Sequence, residues 1–291
     1  MDFRSLRSLD EVLAALAELG DAACVLAGGT DVMVQLGRGE IAPQTLVHIE
    51  HVGELSAISC NGHVRLGATA THSSIAESPA ILNSYGSLAA AAASVGGWQT
   101  QSVGTIGGNI ANASPAADLL PPLLVHGAVV SLSSASGSRT LSIDQLLTGR
   151  RSTACAADEL IVAVDLEPVG ARTADAFVKV GRRSAMEVSI VALAVRLTLD
   201  ETMTTVTDAR IALASCGPMA FRATEAEAAL IGTTLDDDAL RAAGAALGNR
   251  AQLIDDVRAT AAYRRRLIPR VLGKAVAECR QTIVNRSESQ T

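Results

Sequence analysis

The sequence predicts an α+β protein, and three features of its order carry that prediction. An amphipathic helix is followed by short apolar strands, the first of which runs into a glycine loop, a helical middle holds a second such loop, and long apolar strands then give way to helices. The 291 residues are 48% hydrophobic and 19% charged, which is enough chain for two or three packed units.

Taken in order, Ser8-Leu9-Asp10-Glu11 has the capping-box pattern and opens a helix with Val12, Leu13, Leu16 and Leu19 on its apolar stripe, ended by Gly20. "ACVLAGG" and "TLVHIE" read as buried strands, and "AISCNGHVRLGA" as a hairpin turning on Asn61-Gly62. "SLAAAAASVGG" is helical up to its paired glycines. After Pro121-Pro122 come a helical piece, a strand from Ala128 to Leu132, a turn at "SSASGS" and the strand "ELIVAVDL". "VGARTADA" is the best boundary, because the pattern changes after it: three long strands through "AFVKVG", "SIVALAVRLTLD" and "TVTDARIALASCG" precede three helical stretches from about Ala223. The ending "NRSESQT" is polar and expected to fray.

Composition excludes several functions. A net charge of −6 without a concentrated basic face argues against nucleic acid, and six aromatic residues leave little for stacking on bases. The first twenty residues carry acids within their apolar pattern, so they read as a helix and not as a secretory signal, and no segment is long and apolar enough to span a membrane. The cytoplasm is the expected compartment. Cys24, Cys60, Cys155, Cys216 and Cys279 are too scattered for a zinc or iron–sulfur motif and are expected to be buried thiols. His48 and His51 lie in or beside a strand, where a separation of three points side chains to opposite faces, so no metal site is expected. Asp236, Asp237 and Asp238 suit a solvated loop or a helix start, with metal binding the alternative, and the arginines of "DDVRATAAYRRRLIPRVLGKAV" a solvated helix face, with a binding surface the alternative.

The chemistry gathers at Gly28-Gly29-Thr30-Asp31 and at Gly104-Thr105-Ile106-Gly107-Gly108-Asn109. Glycine lets backbone N–H groups converge on an anion without a Cβ in the way, and Thr and Asn add side-chain donors. Neither loop has the G-x-G-x-x-G of a dinucleotide fold or the Lys-Ser/Thr of a P-loop. No G-x-S-x-G or H-E-x-x-H is present either. Spacing alone leaves two readings open, tight turns or a two-sided diphosphate clamp.

Resemblance extends the second reading. "LAGGTDVMVQL", "VGTIGGNIANASPAADLLPPLL", "DELIVAVDLEP", "FVKVGRR", "ASCGPMAFRATEAEAAL" and "DDVRATAAYRRRLIPRVL" resemble, in that order, landmarks of the FAD-binding medium subunit of the molybdenum hydroxylases, the family of carbon monoxide dehydrogenase and of the xanthine dehydrogenase FAD domain. The resemblance covers nearly the whole chain. It implies a two-subdomain FAD-binding fold of the vanillyl-alcohol-oxidase-like (PCMH) type over residues 1–56 and 57–170, a C-terminal α+β domain over 175–284 and a tail over 285–291. It implies non-covalent FAD, with Val25, Leu26, Ala27, Gly28, Gly29, Thr30, Asp31 and Val32 around the diphosphate and Thr105, Ile106, Gly107, Gly108 and Asn109 on its other side. Asn112 and Ser114 would lie near the same cofactor, Asp118 would accept a hydrogen bond from it, and Ile161 would pack beside it. Lys179 would counter charge on the reduced flavin, or Val178 would stand there after a one-residue shift. Gln101-Ser102 replaces the arginine-asparagine pair common in the family, Glu187 replaces an aspartate, and Trp98 reads as a packing anchor, with an interface residue the alternative.

The implied function is electron transfer with no catalytic side chain of its own: electrons pass from [2Fe-2S] clusters of a small partner subunit to FAD and on to an external acceptor. Molybdopterin would sit in a large partner subunit, and the assembly would be a dimer of heterotrimers. A stand-alone FAD-dependent oxidase of the same fold and a non-catalytic binding module are the alternatives. The substrate and the acceptor, whether NAD, quinone, oxygen or a carrier protein, are not read from this chain.

Overall fold

The computed structural model of the protein describes residues 1–60, 62–183 and 185–288. In chain order these form β1 (Asp2–Ser5), α1 (Leu9–Leu19), β2 (Ala23–Leu26), α2 (Val32–Gly37), β3 (Thr45–His48), β4 (Ile58–Cys60), β5 (Val64–Gly67) and α3 (His72–Glu77). The helices α4 (Pro79–Ser84), α5 (Gly86–Ala93), α6 (Trp98–Val103), α7 (Ile106–Asn112) and α8 (Leu120–Val125) come next. Then come β6 (Val129–Ser134), β7 (Gly137–Ser142), α9 (Ile143–Leu146), β8 (Leu147–Gly149), β9 (Ser152–Thr153) and β10 (Leu160–Leu166). The remainder is β11 (Thr173–Val180), β12 (Val191–Leu199), β13 (Val206–Ala214), β14 (Phe221–Arg222), α10 (Thr224–Leu230), α11 (Asp237–Arg250) and α12 (Ala261–Glu288). The α+β expectation holds. Contacts divide the chain into one unit of Met1–Ile75, Gly97–Ser114 and Gly127–Glu167, and a second of Ala76–Gly96, Pro115–His126 and Pro168 onward.

In the first unit the Ser8 hydroxyl accepts from the Glu11 N–H at 3.3 Å while the Glu11 carboxylate accepts from the Ser8 N–H at 3.2 Å, which fixes where α1 begins. Gly20 ends it in a positive-φ conformation that a side chain would strain. Val12 and Leu16 of α1 pack with Val47, Ile49, Val52 and Leu55 in one core. The sheet β1-β3-β2 is parallel, with Ser5 and Leu26 both opposite His48, so all three strands finish at one edge. The first glycine loop leaves that carboxyl edge, the side of a parallel sheet where ligands gather. A second, antiparallel sheet runs β4-β5-β10-β6-β7. Its β4–β5 pair ends at Cys60 opposite Val64; Asn61, half of the expected turn, lies outside the described residues.

The second unit is built on the antiparallel sheet β11-β12-β13-β14. Eight of the nine residues of β12 are buried, because α12 packs on β11 and β12 while α5 packs on β11 and α8 on β12 and β13. Coverage of this kind explains the near-continuous apolar run in its sequence. Asp236 caps α11 by accepting from the Ala239 N–H at 2.9 Å, as the aspartate run suggested.

Several expectations are corrected. Pro121 and Pro122 lie inside the first turn of α8, where a missing N–H costs nothing, and do not precede it. The polar ending, expected to fray from residue 285, is helical as far as Glu288, tied down by Arg286, which donates to Thr173 O at 2.9 Å and Asn83 O at 2.7 Å; residues 289–291 lie outside the described residues. Cys216 and Cys279 are buried, but Cys24 and Cys155 are half-buried and Cys60 is exposed. Trp98 is 75% exposed and anchors no core. The arginine run is not wholly a solvated face, since Arg264 is buried and donates to Ile190 O, Ile254 O and Asp256 Oδ1. Burial opposes the charge on Asp256, yet hydrogen bonds from Arg258 and Arg264 hold its carboxyl well below the usual range.

Candidate functional site

The two glycine loops meet, backbone against backbone, in the first unit. A Cβ on Gly28 would stand 1.7 Å from the carbonyl oxygen of Val103 and 3.1 Å from the amide nitrogen of Gly104, so no side chain fits there. Gly29 takes a φ of 72°, the left-handed conformation that glycine adopts without strain. Among the described residues, none accepts a hydrogen bond from the backbone N–H groups of Gly28, Gly29 or Thr30. Three neighbouring donors left free after a parallel strand are groups that an anion can use.

The second loop is different. Most of its N–H groups are already used: Gly104 donates to Thr100 O, Ile106 to Ala70 O, Gly107 to Ala68 O, Gly108 to Thr105 Oγ1 and Asn109 to Thr105 O, at 2.7–3.1 Å, whereas the Thr105 N–H finds no acceptor among the described residues. Gly107 is required by packing, since a Cβ there would lie 2.7 Å from Ala68 O. This loop also keeps free a side-chain acceptor, the buried Oδ1 of Asn109, which has no partner among the described residues. The first loop therefore carries three consecutive free backbone donors, and the second, bonded for the most part to the chain beneath it, adds the Thr105 N–H and one polar side chain.

Sequence reasoning missed His72, which lies directly under the second loop. Its N–H donates to Gly104 O at 2.9 Å, and a Cβ on Gly104 would come within 3.1 Å of its ring. Burial pushes the imidazole down to about 4, so it is neutral at pH 7. Because the folded value lies below the unfolded 6.5, this stabilisation is complete above pH 6.5 and lost as pH falls toward 4. The loss amounts to about 3 kcal/mol over that window. Denaturant titrations between pH 7 and 4 check it: His72→Gln shows an acid loss smaller than wild type by about that amount, and parallel profiles contradict it.

Other candidates in this unit surround the same loops. Asn112 Oδ1 accepts from Gln35 Nε2 and from Arg151 Nη1, both at 3.1 Å. Burial raises the carboxyl of Asp31, against the opposing pull of Arg151 and a hydrogen bond with Asn112. Val25 and Leu26 belong to β2, Ala27 links them to the loop, and Val32 begins α2. Ser114 closes this unit's share of the segment. Ile161 is buried in β10 at a register shift against β6.

Asp118 and Lys179 belong to the second unit, described by itself. Lys179 Nζ donates to Asp118 Oδ2 at 2.6 Å and to Ser94 O at 2.8 Å, with both side chains largely buried. Burial pushes the Asp118 carboxyl up to about 6, and Lys179 offsets this only in part. The other carboxylate oxygen, Asp118 Oδ1, is buried with no partner among the described residues, a vacancy suited to a ligand N–H or O–H. Val178 is buried in the core of this unit. Ser87, His126 and Asp175 of the same unit resemble a hydrolytic triad only by composition. Ser87 Oγ and Asp175 Oδ2 approach the same nitrogen, His126 Nε2, at 3.3 and 2.9 Å, so no relay through the ring exists.

The expectation that His48 and His51 diverge is overturned. Period-two alternation stops with β3 at His48, and the following turn brings the two rings to a centroid separation of 5.5 Å.

Comparison with known proteins agrees with this geometry. Residues 2–167 match the family described as the FAD binding domain in molybdopterin dehydrogenase, and residues 176–279 the CO dehydrogenase flavoprotein C-terminal domain. The chain is 32% identical over 286 residues to the 6-hydroxypseudooxynicotine dehydrogenase complex subunit alpha of Paenarthrobacter nicotinovorans, covering 97% of this chain and 96% of that one. It is 29% identical over 282 residues to the putative xanthine dehydrogenase FAD-binding subunit XdhB of Escherichia coli K12, covering 95% and 96%. A solved carbon monoxide dehydrogenase from Hydrogenophaga pseudoflava, lacking the Mo-pyranopterin moiety, contains a chain that matches with a TM-score of 0.91 at 28% identity, covering 96% and 98%. With both family matches in chain order, the chain belongs to the FAD-binding subunits of the molybdenum hydroxylases, flavoprotein components of oxidoreductases whose cofactor is FAD.

Proposed function

We propose that this chain collects electrons on FAD from the [2Fe-2S] clusters of a small partner subunit and passes them to an external acceptor. A large partner subunit carries the molybdopterin and the substrate, the complex is a dimer of heterotrimers, and it works in the cytoplasm. Bound FAD supplies two-electron uptake; the residues of this chain hold and tune it. The reading rests most directly on the three free N–H groups at Gly28–Thr30, facing a neighbour that only a glycine permits.

In this reading Val25 through Val32 wrap the diphosphate, with Gly28, Gly29 and Thr30 as donors, and Thr105 through Asn109 form the opposing wall. Asn112, held by Gln35 and Arg151, and Ser114 line the same side, and Ile161 packs beside the cofactor. Asp118 offers its free oxygen to a flavin or ribitol donor, and Lys179 places positive charge where reduction develops negative charge. Residues 1–56 and 57–170 are the two subdomains of the FAD fold, and the C-terminal domain begins at 175.

The relatives are named for xanthine, a nicotine derivative and carbon monoxide. Such diversity over similar chains supports the reading that substrate choice lies outside this subunit. The test is to purify the chain alone and with its co-expressed partners. One FAD per chain is released on denaturation, and organic substrate is oxidised only by the complex. Full-rate turnover by the isolated chain would replace this reading with that of a stand-alone oxidase.

A further inference from the structure

We propose that His48, Glu50 and His51 form a binding site for a divalent transition-metal ion of the zinc class, at the carboxyl edge of the parallel sheet. The proposal is independent of the FAD reading. One ligand atom from each of the three lies within 4.8 Å of the other two. His48 Nε2 is 3.2 Å from Glu50 Oε2, and the rings of His48 and His51 stand nearly perpendicular, at 80°. An ion pair between His48 and Glu50 would account for two of these groups but not for the third. A cation between them accounts for all three.

The site is held in place before any ion arrives. Ile49 and Val52 are buried, the Ile49 N–H donates to Leu26 O at 2.9 Å and the Val52 N–H to Ile49 O at 3.1 Å. These anchors fix the turn on which Glu50 and His51 are exposed. Ser5 Oγ lies 3.4 Å from His48 Nδ1, and Phe3 packs on the same ring at a centroid distance of 5.4 Å. Occupying Nδ1 leaves Nε2 as the coordinating nitrogen, the outer-shell arrangement that metal-binding histidines favour.

The donor set selects the ion. Two imidazoles and a carboxylate suit Zn2+, Ni2+ or Cu2+; Ca2+ and Mg2+ demand oxygen ligands, and Cu+ prefers sulfur. Three protein ligands leave a fourth position for water.

Calorimetric titration of the purified, FAD-containing chain with Zn2+ tests the proposal. The expected result is one equivalent bound at this site, with affinity reduced more than tenfold by His51→Ala and by Glu50→Gln. Ser5→Ala weakens binding by about tenfold or more while keeping the stoichiometry. X-ray absorption of the Zn2+ complex shows nitrogen and oxygen neighbours at about 2.0 Å. Unchanged affinity in His51→Ala, or sulfur in the coordination shell, which would point to the exposed Cys60, overturns the assignment.

Discussion

Gly28→Val yields a chain that purifies without FAD. The Cβ at this position would lie 1.7 Å from Val103 O, so the first loop must move away from the second and take the free N–H groups of Gly28, Gly29 and Thr30 with it. Hydrogen bonds to a charged group contribute roughly 1.5–3 kcal/mol each. Misplacing two of them costs about 3–6 kcal/mol, a fall in affinity of at least about a hundredfold. Flavin fluorescence after denaturation measures the occupancy, and circular dichroism confirms that the variant is folded. Gly29→Ala supplies a second variant with less steric disturbance, because its strain arises from the φ of 72°. Full flavin occupancy in both contradicts the assignment of this loop.

Lys179→Met destabilises the protein by about 3–5 kcal/mol, the usual cost of stripping one partner from a buried ion pair. Asp118 would then keep a buried carboxyl group without the cation that holds its charge in check. Asp118→Leu in the same chain restores most of the loss, since two apolar side chains leave nothing unpaired. Urea unfolding of both single variants and the double variant gives the coupling, expected to exceed about 2 kcal/mol for groups in contact. Additive effects would show that the contact contributes little. The resemblance implies Lys179 as a charge that counters the reduced flavin. Its bonds to Asp118 and Ser94 O make it a structural cation as well, so stability is lost along with any change in potential.

The elements were legible where local chemistry decides them. Ser8 and Glu11 mark the start of a helix because their hydrogen bonds lie within one turn, and the apolar run of β12 announces a strand covered on both faces. The two loops were legible as glycine clusters, but their division of labour was not. Whether an N–H is free depends on residues distant in sequence: Ala68 O and Ala70 O take the N–H groups of Gly107 and Ile106, whereas Gly28–Thr30 find no acceptor among the described residues. The second loop, with more glycines, attracts attention first, yet Gly28 is the position where a side chain is excluded most severely.

His72 was invisible for the same reason. Nothing in "ATATHSSIA" says that its ring supports Gly104, thirty-two residues later. Alternation also misled at His48 and His51, because the strand ends between them and the turn that follows obeys no period of two. Trp98, read as an anchor because large aromatics usually pack, is largely exposed on a six-residue helix.

A crystal structure of the FAD-loaded chain tests the central claim most directly. It places the diphosphate oxygens within hydrogen-bond distance of the backbone nitrogens of Gly28, Gly29 and Thr30. A diphosphate bound elsewhere, with those three N–H groups still free or turned to water, would contradict it.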